Sequence, residues 1–484
     1  MTLFCALLLL LATPCMNPME SVGEVSNISL FPSPAFQTSS DASLAAVRRQ
    51  DREARNARGV ITRLSPEEHL RRASIYHQNR AFDEARGHWQ ALINYYPSDP
   101  RVAEALFGTG RSYFQERRYS EAYSYYDRLA RTYPATKEGR EGLNFSAAAL
   151  LRLGKTSEAA DRYIEYINRY PEGERSETAH LNAIDTLREA GRSRDAMDWV
   201  FKTKSRFAGT VTDTNATFGQ LRLEVAESNW KRAAATADEL SRQSFAKGVQ
   251  TTRSEVAYLK AYSLDRGGNK NEAIAAYLAV PGGIDSYYGW LATERLANIV
   301  NDSRRGDLAQ RQERNKSQAE VAGDRYPAPY RQAILSAAKS RKIDPRFILA
   351  IIRQESVFRP TAKSPAGARG LLQLTIDAAQ KYAPNAGVSG LIENQLYQPE
   401  TSILIGSEYL KELFDMFPNM PEAVAASYNG GEDNVARWVR RARHKDPGVF
   451  TSEIGFDETK GYVQKVLNNY RVYQQLYNAD LTLR

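Results

Sequence analysis

The sequence predicts a mainly α-helical protein, an α-solenoid of antiparallel helix pairs followed by a compact, mostly helical second unit. Three observations predict it. Ala85, Ala122, Ala159, Ala196 and Ala233 fall 37 residues apart, and Pro97, Pro134 and Pro171 keep the same interval. From Tyr326 onward that interval is gone, while capped apolar helix patterns continue to Arg484. With 484 residues the chain has room for a repeat array plus a separate domain.

The chain opens on an apolar run, Leu3 to Ala12, too brief to span a bilayer but of the right length for the apolar part of a secretory signal. Residues 1–15 are therefore read as a signal segment and the protein as exported to the periplasm or cell envelope, although no Lys or Arg precedes the run. Both cysteines, Cys5 and Cys15, lie in or beside it, which leaves the mature chain without an internal disulfide. Cys15 follows Leu11-Ala12-Thr13-Pro14, an order similar to a lipoprotein cleavage box, but Pro14 directly before the cysteine argues against a lipid anchor. Residues 16–60 are polar, Ser-rich and then Arg-rich, without a sustained apolar period. They read as a mobile polar leader.

Residues 61–300 hold the repeats. Asp83-Glu84-Ala85, Ser120-Glu121-Ala122 and Ser157-Glu158-Ala159 recur in phase, followed by Asn94-Tyr95-Tyr96-Pro97, Arg131-Thr132-Tyr133-Pro134 and Asn168-Arg169-Tyr170-Pro171. Each unit reads as helix, turn, helix, stop. The small alanine lets two antiparallel helices approach, a bulky residue such as Phe82 or Tyr119 plugs the turn, and the proline ends the second helix. The pattern resembles the tetratricopeptide repeat, lengthened by roughly three residues. The interval loosens to 40 at Ala273, as expected near the end of an array. Taken alone, the repeats imply a partner-binding or shape-making superhelix and say nothing of catalysis.

The aromatic cluster Ser286-Tyr287-Tyr288-Gly289-Trp290-Leu291-Ala292 closes the helical region. Residues 301–325 are polar and charged and read as a linker, and 326–484 as one compact unit. The hydrophobic fraction of 42% and charged fraction of 25% are those of a globular protein, and 27 tyrosines against 17 phenylalanines suggest many half-wet aromatic positions. A net charge of +8 favours an anionic partner without selecting one. No nucleic-acid module, zinc-type Cys/His spacing or Gly-rich phosphate loop occurs, so nucleic acid is not an expected partner.

The chemistry centres on the helix beginning at Asp344, an N-cap followed by Pro345 in the first helical position. Ile348, Ile351 and Ile352 form its apolar stripe, and the next position on that stripe is Glu355. A carboxylate set against an apolar face should have a raised pKa and hold a proton near neutrality, as a general acid must. From this helix alone, an equal alternative is that the helix ends there and Glu355 reaches solvent.

Further on, the run Ser364 to Gln373 contains glycines that let backbone approach a ligand, and a serine and a glutamine that can bond sugar hydroxyls and acetamides; a structural turn is the plainer reading. Pro421 to Tyr428 reads as an Ala-rich helix stopped by Asn429-Gly430-Gly431, in the first instance a left-handed C-cap. Tyr428 and Asn429 place a ring and an amide together at its end. Glu458 opens the last helix, ahead of Tyr462, Val463, Val466, Leu467 and Tyr470, either as a complement to the helix dipole or as a site residue.

In order and spacing, Glu355-Ser356, Ser364 to Gln373, Tyr428-Asn429-Gly430 and Glu458-Thr459 with Tyr462-Val463 resemble the soluble lytic transglycosylases. The resemblance spans the whole C-terminal unit and reaches back to Tyr287–Leu291. It implies a lysozyme-like α+β, mostly helical, catalytic domain behind a solenoid that wraps the glycan. It also implies Glu355 as acid and then base, with Ser364, Gln373, Tyr428, Asn429, Glu458 and Tyr462 lining the groove. The chain departs from the family where Leu372 stands in place of methionine, Thr375-Ile376 in place of a Met-Pro pair, Ala378 in place of threonine, Ser427 in place of alanine and Lys460 in place of arginine. Thr375 in particular replaces a groove methionine.

The reaction that resemblance implies is non-hydrolytic cleavage of the MurNAc–GlcNAc β-1,4 bond of peptidoglycan to 1,6-anhydroMurNAc ends, the substrate acetamide replacing a second carboxylate. Neither a metal nor a cofactor is implied, and cell-wall proteins are conceivable partners of the repeats. Two other classes of function fit parts of the sequence: a lysozyme-like muramidase hydrolysing the same bond, and a noncatalytic glycan-binding scaffold.

Overall fold

The computed structural model describes residues 37–53, 61–364 and 367–484. The expected signal segment at 1–15 lies outside the described residues. No helix among the described residues is long and apolar enough to cross a membrane.

The 37-residue interval becomes a helix pair. The second helices of successive pairs are Phe82–Tyr95, Tyr119–Thr132, Thr156–Arg169 and Ser193–Arg206. The repeat alanine is the fourth residue of each, and Ala85, Ala122, Ala159 and Ala196 are wholly buried. One turn on, Trp89, Tyr126, Tyr163 and Val200 fill the same layer. The partner helix makes room for these rings with small residues: a Cβ on Gly110 would stand 2.8 Å from the Tyr126 ring. Phe82 packs on His77 with ring centroids 5.5 Å apart and Tyr119 on Phe114 at 5.3 Å, so the first two turns are plugged by a ring. The second helices stop one residue before Tyr96, Tyr133 and Tyr170, each followed by its proline. Those tyrosines also join neighbouring units, for Tyr170 Oη donates to the Pro134 carbonyl at 2.9 Å and Tyr96 Oη to the Leu64 carbonyl at 2.7 Å.

Two expectations about flanking segments are revised. Gln37–Glu53, within the stretch expected to be a mobile leader, is a helix. Its anchor is a carboxylate: Asp51 is buried and accepts from Arg72, from Tyr76 Oη at 2.5 Å and from His88 Nε2 at 2.8 Å. An apolar period cannot reveal a helix held this way. The expected linker at 301–325 contains the helix Arg305–Val321, which buries Leu308, Arg311, Asn315 and Ala319. That stripe is half polar, and Arg311 satisfies itself on Thr293 Oγ1 (2.6 Å) and the Gly289 carbonyl (3.0 Å).

The second unit packs Pro345–Ser356 against the long last helix Asp457–Leu476, with Pro399–Met416 and Pro421–Gly430 beside them. Among the described residues β structure is limited to isolated bridges such as Lys363–Arg369 and Arg369–Leu374, so the second unit is mostly helical, as expected. One apolar core runs without a break from Phe218 in the solenoid to Leu481. Polar ties cross the same boundary, among them Tyr287 Oη with Thr451 Oγ1 (2.9 Å) and Lys460 Nζ with Glu255 (3.1 Å).

Candidate active site

The helix Pro345–Ser356 starts as its sequence predicts: the Asp344 side chain accepts the Arg346 N–H at 2.9 Å and Pro345 occupies the first turn. Tyr470 Oη donates to Asp344 at 2.9 Å, fixing that end to the last helix. Ile348, Ile351 and Ile352 are fully buried. Glu355 continues their face, and its carboxyl is desolvated. Burial raises its pKa to about 7, against a smaller lowering by a hydrogen bond from Tyr462. That bond, Tyr462 Oη to Glu355 Oε1, is 2.6 Å long and joins residues on two antiparallel helices. The helix then breaks on two left-handed residues, Val357 (φ 49°) and Phe358 (φ 60°). A β-branched residue in that region carries strain, on the order of 1–2 kcal/mol.

Tyr428 stands in the same pocket of charge. Burial, then the Glu355 carboxylate, pushes the pKa of both Tyr428 and Tyr462 well above the usual phenol value, so both remain hydrogen-bond donors. Tyr428 Oη donates to the Leu372 carbonyl at 2.6 Å, which ties the loop carrying Gln373 to the helix Pro421–Gly430. Gln373 is itself left-handed (φ 47°), and its Nε2 donates to the carbonyls of Ala362 (3.1 Å) and Gly370 (2.8 Å), closing that loop on itself. Ser364 Oγ accepts the Ala368 N–H at 3.0 Å within the same loop. Gly370 has a structural cause: with φ 78°, a Cβ there would fall 1.9 Å from the Leu396 carbonyl oxygen. Thr375 caps the helix Ile376–Tyr382 by accepting the Ala378 N–H.

Asn429 Oδ1 accepts from Thr459 Oγ1 at 2.6 Å, and a Cβ on Gly430 would come within 2.9 Å of that same hydroxyl. The end of the Ala-rich helix is thus pressed onto the start of the last helix. Its stop is Gly431 at φ 83°, ψ 142°, a conformation suited to glycine but outside the left-handed helical region expected for the cap. Glu458 is exposed in the first turn of the last helix, one turn before Tyr462, and makes no hydrogen bond among the described residues.

Of the residues singled out in the sequence, Glu355, Tyr428 and Tyr462 interact directly or through charge. Asn429 bonds Thr459, one turn before Tyr462 on the last helix, and Ser364 and Gln373 shape the adjoining loop. Two contributors had no sequence signal. Tyr409 packs on Tyr428 with ring centroids 5.1 Å apart, from an ordinary position in Pro399–Met416, and the Leu372 carbonyl is a backbone group. No group of three or more His, Cys, Asp or Glu residues among the described residues is placed to hold a metal ion.

Two segments of the chain match known families. Residues 332–450 match the family model "Transglycosylase SLT domain", and residues 70–135 match "Tetratricopeptide repeat". The chain is 38% identical over 157 residues to a putative soluble lytic murein transglycosylase of Haemophilus influenzae, covering 32% of this chain and 26% of the relative. It is 33% identical over 172 residues to the soluble lytic murein transglycosylase of Escherichia coli K12, covering 34% and 26%. The matched segment thus spans about a quarter of the length of either relative. The X-ray structure of an inactive mutant of lytic transglycosylase Slt from Pseudomonas aeruginosa shares the fold, with a TM-score of 0.50 at 21% identity over 90% of this chain and 86% of that one. The chain therefore carries a transglycosylase SLT domain, set behind tetratricopeptide repeats.

Proposed function

We propose that the protein is an exported lytic transglycosylase that cleaves the MurNAc–GlcNAc β-1,4 bond of peptidoglycan, with Glu355 as acid and then base. The observation that carries this reading is the Glu355 carboxyl, desolvated, hydrogen-bonded by Tyr462 and with a pKa near 7. Such a group is part protonated at neutral pH and able to give and take a proton. The relatives' names and the SLT match, which covers Glu355, support the substrate class.

In the first step Glu355 protonates the glycosidic oxygen while the muramyl acetamide oxygen stabilises the cation developing at the anomeric carbon. No carboxylate perturbs Glu355 among the described residues, which suits a mechanism in which the substrate supplies the second group. In the second step the ionised Glu355 takes the proton of the muramyl 6-hydroxyl as that oxygen closes on the anomeric carbon. The intramolecular hydroxyl outcompetes water through its high effective concentration. Ser364, Gln373, Tyr428, Asn429, Glu458 and Tyr462 are assigned to the groove that holds the glycan, and the solenoid to guiding the strand.

Mass spectrometry of sacculi digested with the purified protein tests this. The expected fragments end in 1,6-anhydroMurNAc; fragments one water heavier would make the protein a hydrolase, and absence of turnover would leave a glycan-binding scaffold.

A further inference from the structure

A cavity of about 100 Å³ lies where the solenoid meets the helix Glu432–Ala442 and the start of Asp457–Leu476. Arg152, Arg222, Arg437, Arg441 and Lys460 line it. Four of these cations are paired: Arg222 with Asp185 at 3.0 Å and Arg437 with Glu189 at 2.6 Å, both carboxylates on the cavity wall, Lys460 with Glu255 at 3.1 Å and Arg441 with Glu453 at 2.8 Å. Arg152 is not. Among the described residues its guanidinium bonds the neutral Asn434 amide and forms no ion pair. Burial, then the neighbouring Arg437 charge, disfavours its protonated form.

Other lining atoms share this lack. Asn182 Nδ2 and Arg222 Nε are buried donors without a hydrogen-bond partner. Unsatisfied buried donors cost free energy that an arriving acceptor would recover. Several donors around one small space, one of them a guanidinium fork, match a planar oxygen pair. Asp457 on the same wall disfavours a dianion such as phosphate more than a singly charged group.

The cavity lies across the last helix from Glu355. Asp457 and Lys460 lie on one side of the last helix and Tyr462, bonded to Glu355, on the other. A helix is about 10–12 Å across with its side chains, which an extended peptide of roughly four residues spans. The glycan strands of murein bear short peptides with free carboxylates.

We propose that this cavity is a carboxylate site, built jointly by the solenoid and the SLT domain, that takes the carboxylate of a peptide branch on the glycan engaged at Glu355. The proposal rests on the peptidoglycan reading given above. A free peptide presents the same chemistry as a glycan-borne one, and the experiment separates the two sources.

Wild type and Arg152→Gln are assayed on intact murein and on glycan strands stripped of peptide by an amidase, and the released peptide is titrated against both proteins by calorimetry. The wild type should have a roughly tenfold lower KM on intact than on stripped strands, and Arg152→Gln should abolish that difference. Equal wild-type KM values on the two substrates would overturn the carboxylate site while leaving the transglycosylase reading intact, whereas no turnover of either would defeat that reading first. Binding of the free peptide that is as tight as the preference for intact murein implies, and that Arg152→Gln does not weaken, would also overturn the site. Folding does not obscure the result, because removing an unpaired, half-buried charge should leave Tm equal or higher; a fall of many degrees would mark Arg152 as structural and sink the proposal.

Discussion

Tyr462 donates a 2.6 Å hydrogen bond to Glu355 from a residue 107 positions further along the chain. That single contact sets the proton affinity of Glu355 against the effect of its burial. Tyr462→Phe removes the opposing contribution, so the pKa of Glu355 should climb further. The protonated form is the one that starts the proposed reaction, and the alkaline limb of the pH–rate profile should therefore move to higher pH. A drop in kcat of roughly tenfold is expected from the lost positioning. An unmoved alkaline limb would show that the limb reports another group.

Glu355→Gln separates chemistry from stability. Turnover should fall by roughly 10²–10⁴-fold or more, with glycan binding retained in a sedimentation assay. The stability change has the opposite sign. Because the folded pKa of Glu355 is raised from 4.5 to about 7, its contribution to stability is fully present below about pH 4.5 and is lost as pH rises through 7. At pH 8 the glutamine variant should accordingly be the more stable, by on the order of 2–3 kcal/mol in denaturant melts. A variant less stable than wild type at pH 8 would contradict the burial of the carboxyl.

Sequence periodicity reached the repeat alanines and the isoleucine stripe before Glu355 because those positions obey local rules of spacing and capping. Ala85 through Ala196 are buried where the interval places them, and Asp344 caps its helix. What periodicity could not reach is pairing between distant polar groups. Nothing local couples Asp51 to His88, Arg311 to Thr293, or Arg188 to Glu453 across 265 residues. The glycine run is the more legible part of the candidate site, since the structural turn it favours is there: Gly370 is required by the Leu396 carbonyl, and Ser364 Oγ accepts the Ala368 N–H within it.

The first helix should be released by mild acid. The Leu64 N–H donates to His69 Nε2 at 3.3 Å, so the His69 proton sits on Nδ1 and donates to His88 Nδ1 at 3.1 Å. The His88 proton is then on Nε2, donating to Asp51 on the helix Gln37–Glu53 at 2.8 Å. This chain requires His69 to be neutral. Burial, with the nearby Arg72 charge, lowers its pKa from 6.5 to about 4. A depressed folded pKa means that the stability it contributes is present above about pH 6.5 and lost as pH falls through 4. Hydrogen exchange at residues 43–53 should accelerate across that window. Asp51→Asn should reproduce the release at neutral pH, at a cost on the order of 3 kcal/mol. Full protection persisting at pH 4 would break the argument.

The boundary between solenoid and SLT domain offers two ion pairs that differ mainly in burial. Glu453 is 1% exposed and accepts from Arg188 of the solenoid and from Arg441 Nε at 2.8 Å, with Arg222 at 3.6 Å. Burial alone would raise its pKa, but the three guanidiniums hold it at about 2, so its stabilisation is present above about pH 4.5 and is lost only as pH falls through 2. Arg443 and Glu227 bridge the same boundary at 2.6 Å, with side chains 41% and 32% exposed. Water and salt screen the second pair, and Arg443→Ala should change stability by less than about 1 kcal/mol. Glu453→Gln instead strands buried cations, for a loss of about 3–5 kcal/mol and a fall of several degrees in Tm at pH 7. If the two variants melted together, the buried cluster would be no stronger a tie between the domains than an ion pair on the surface.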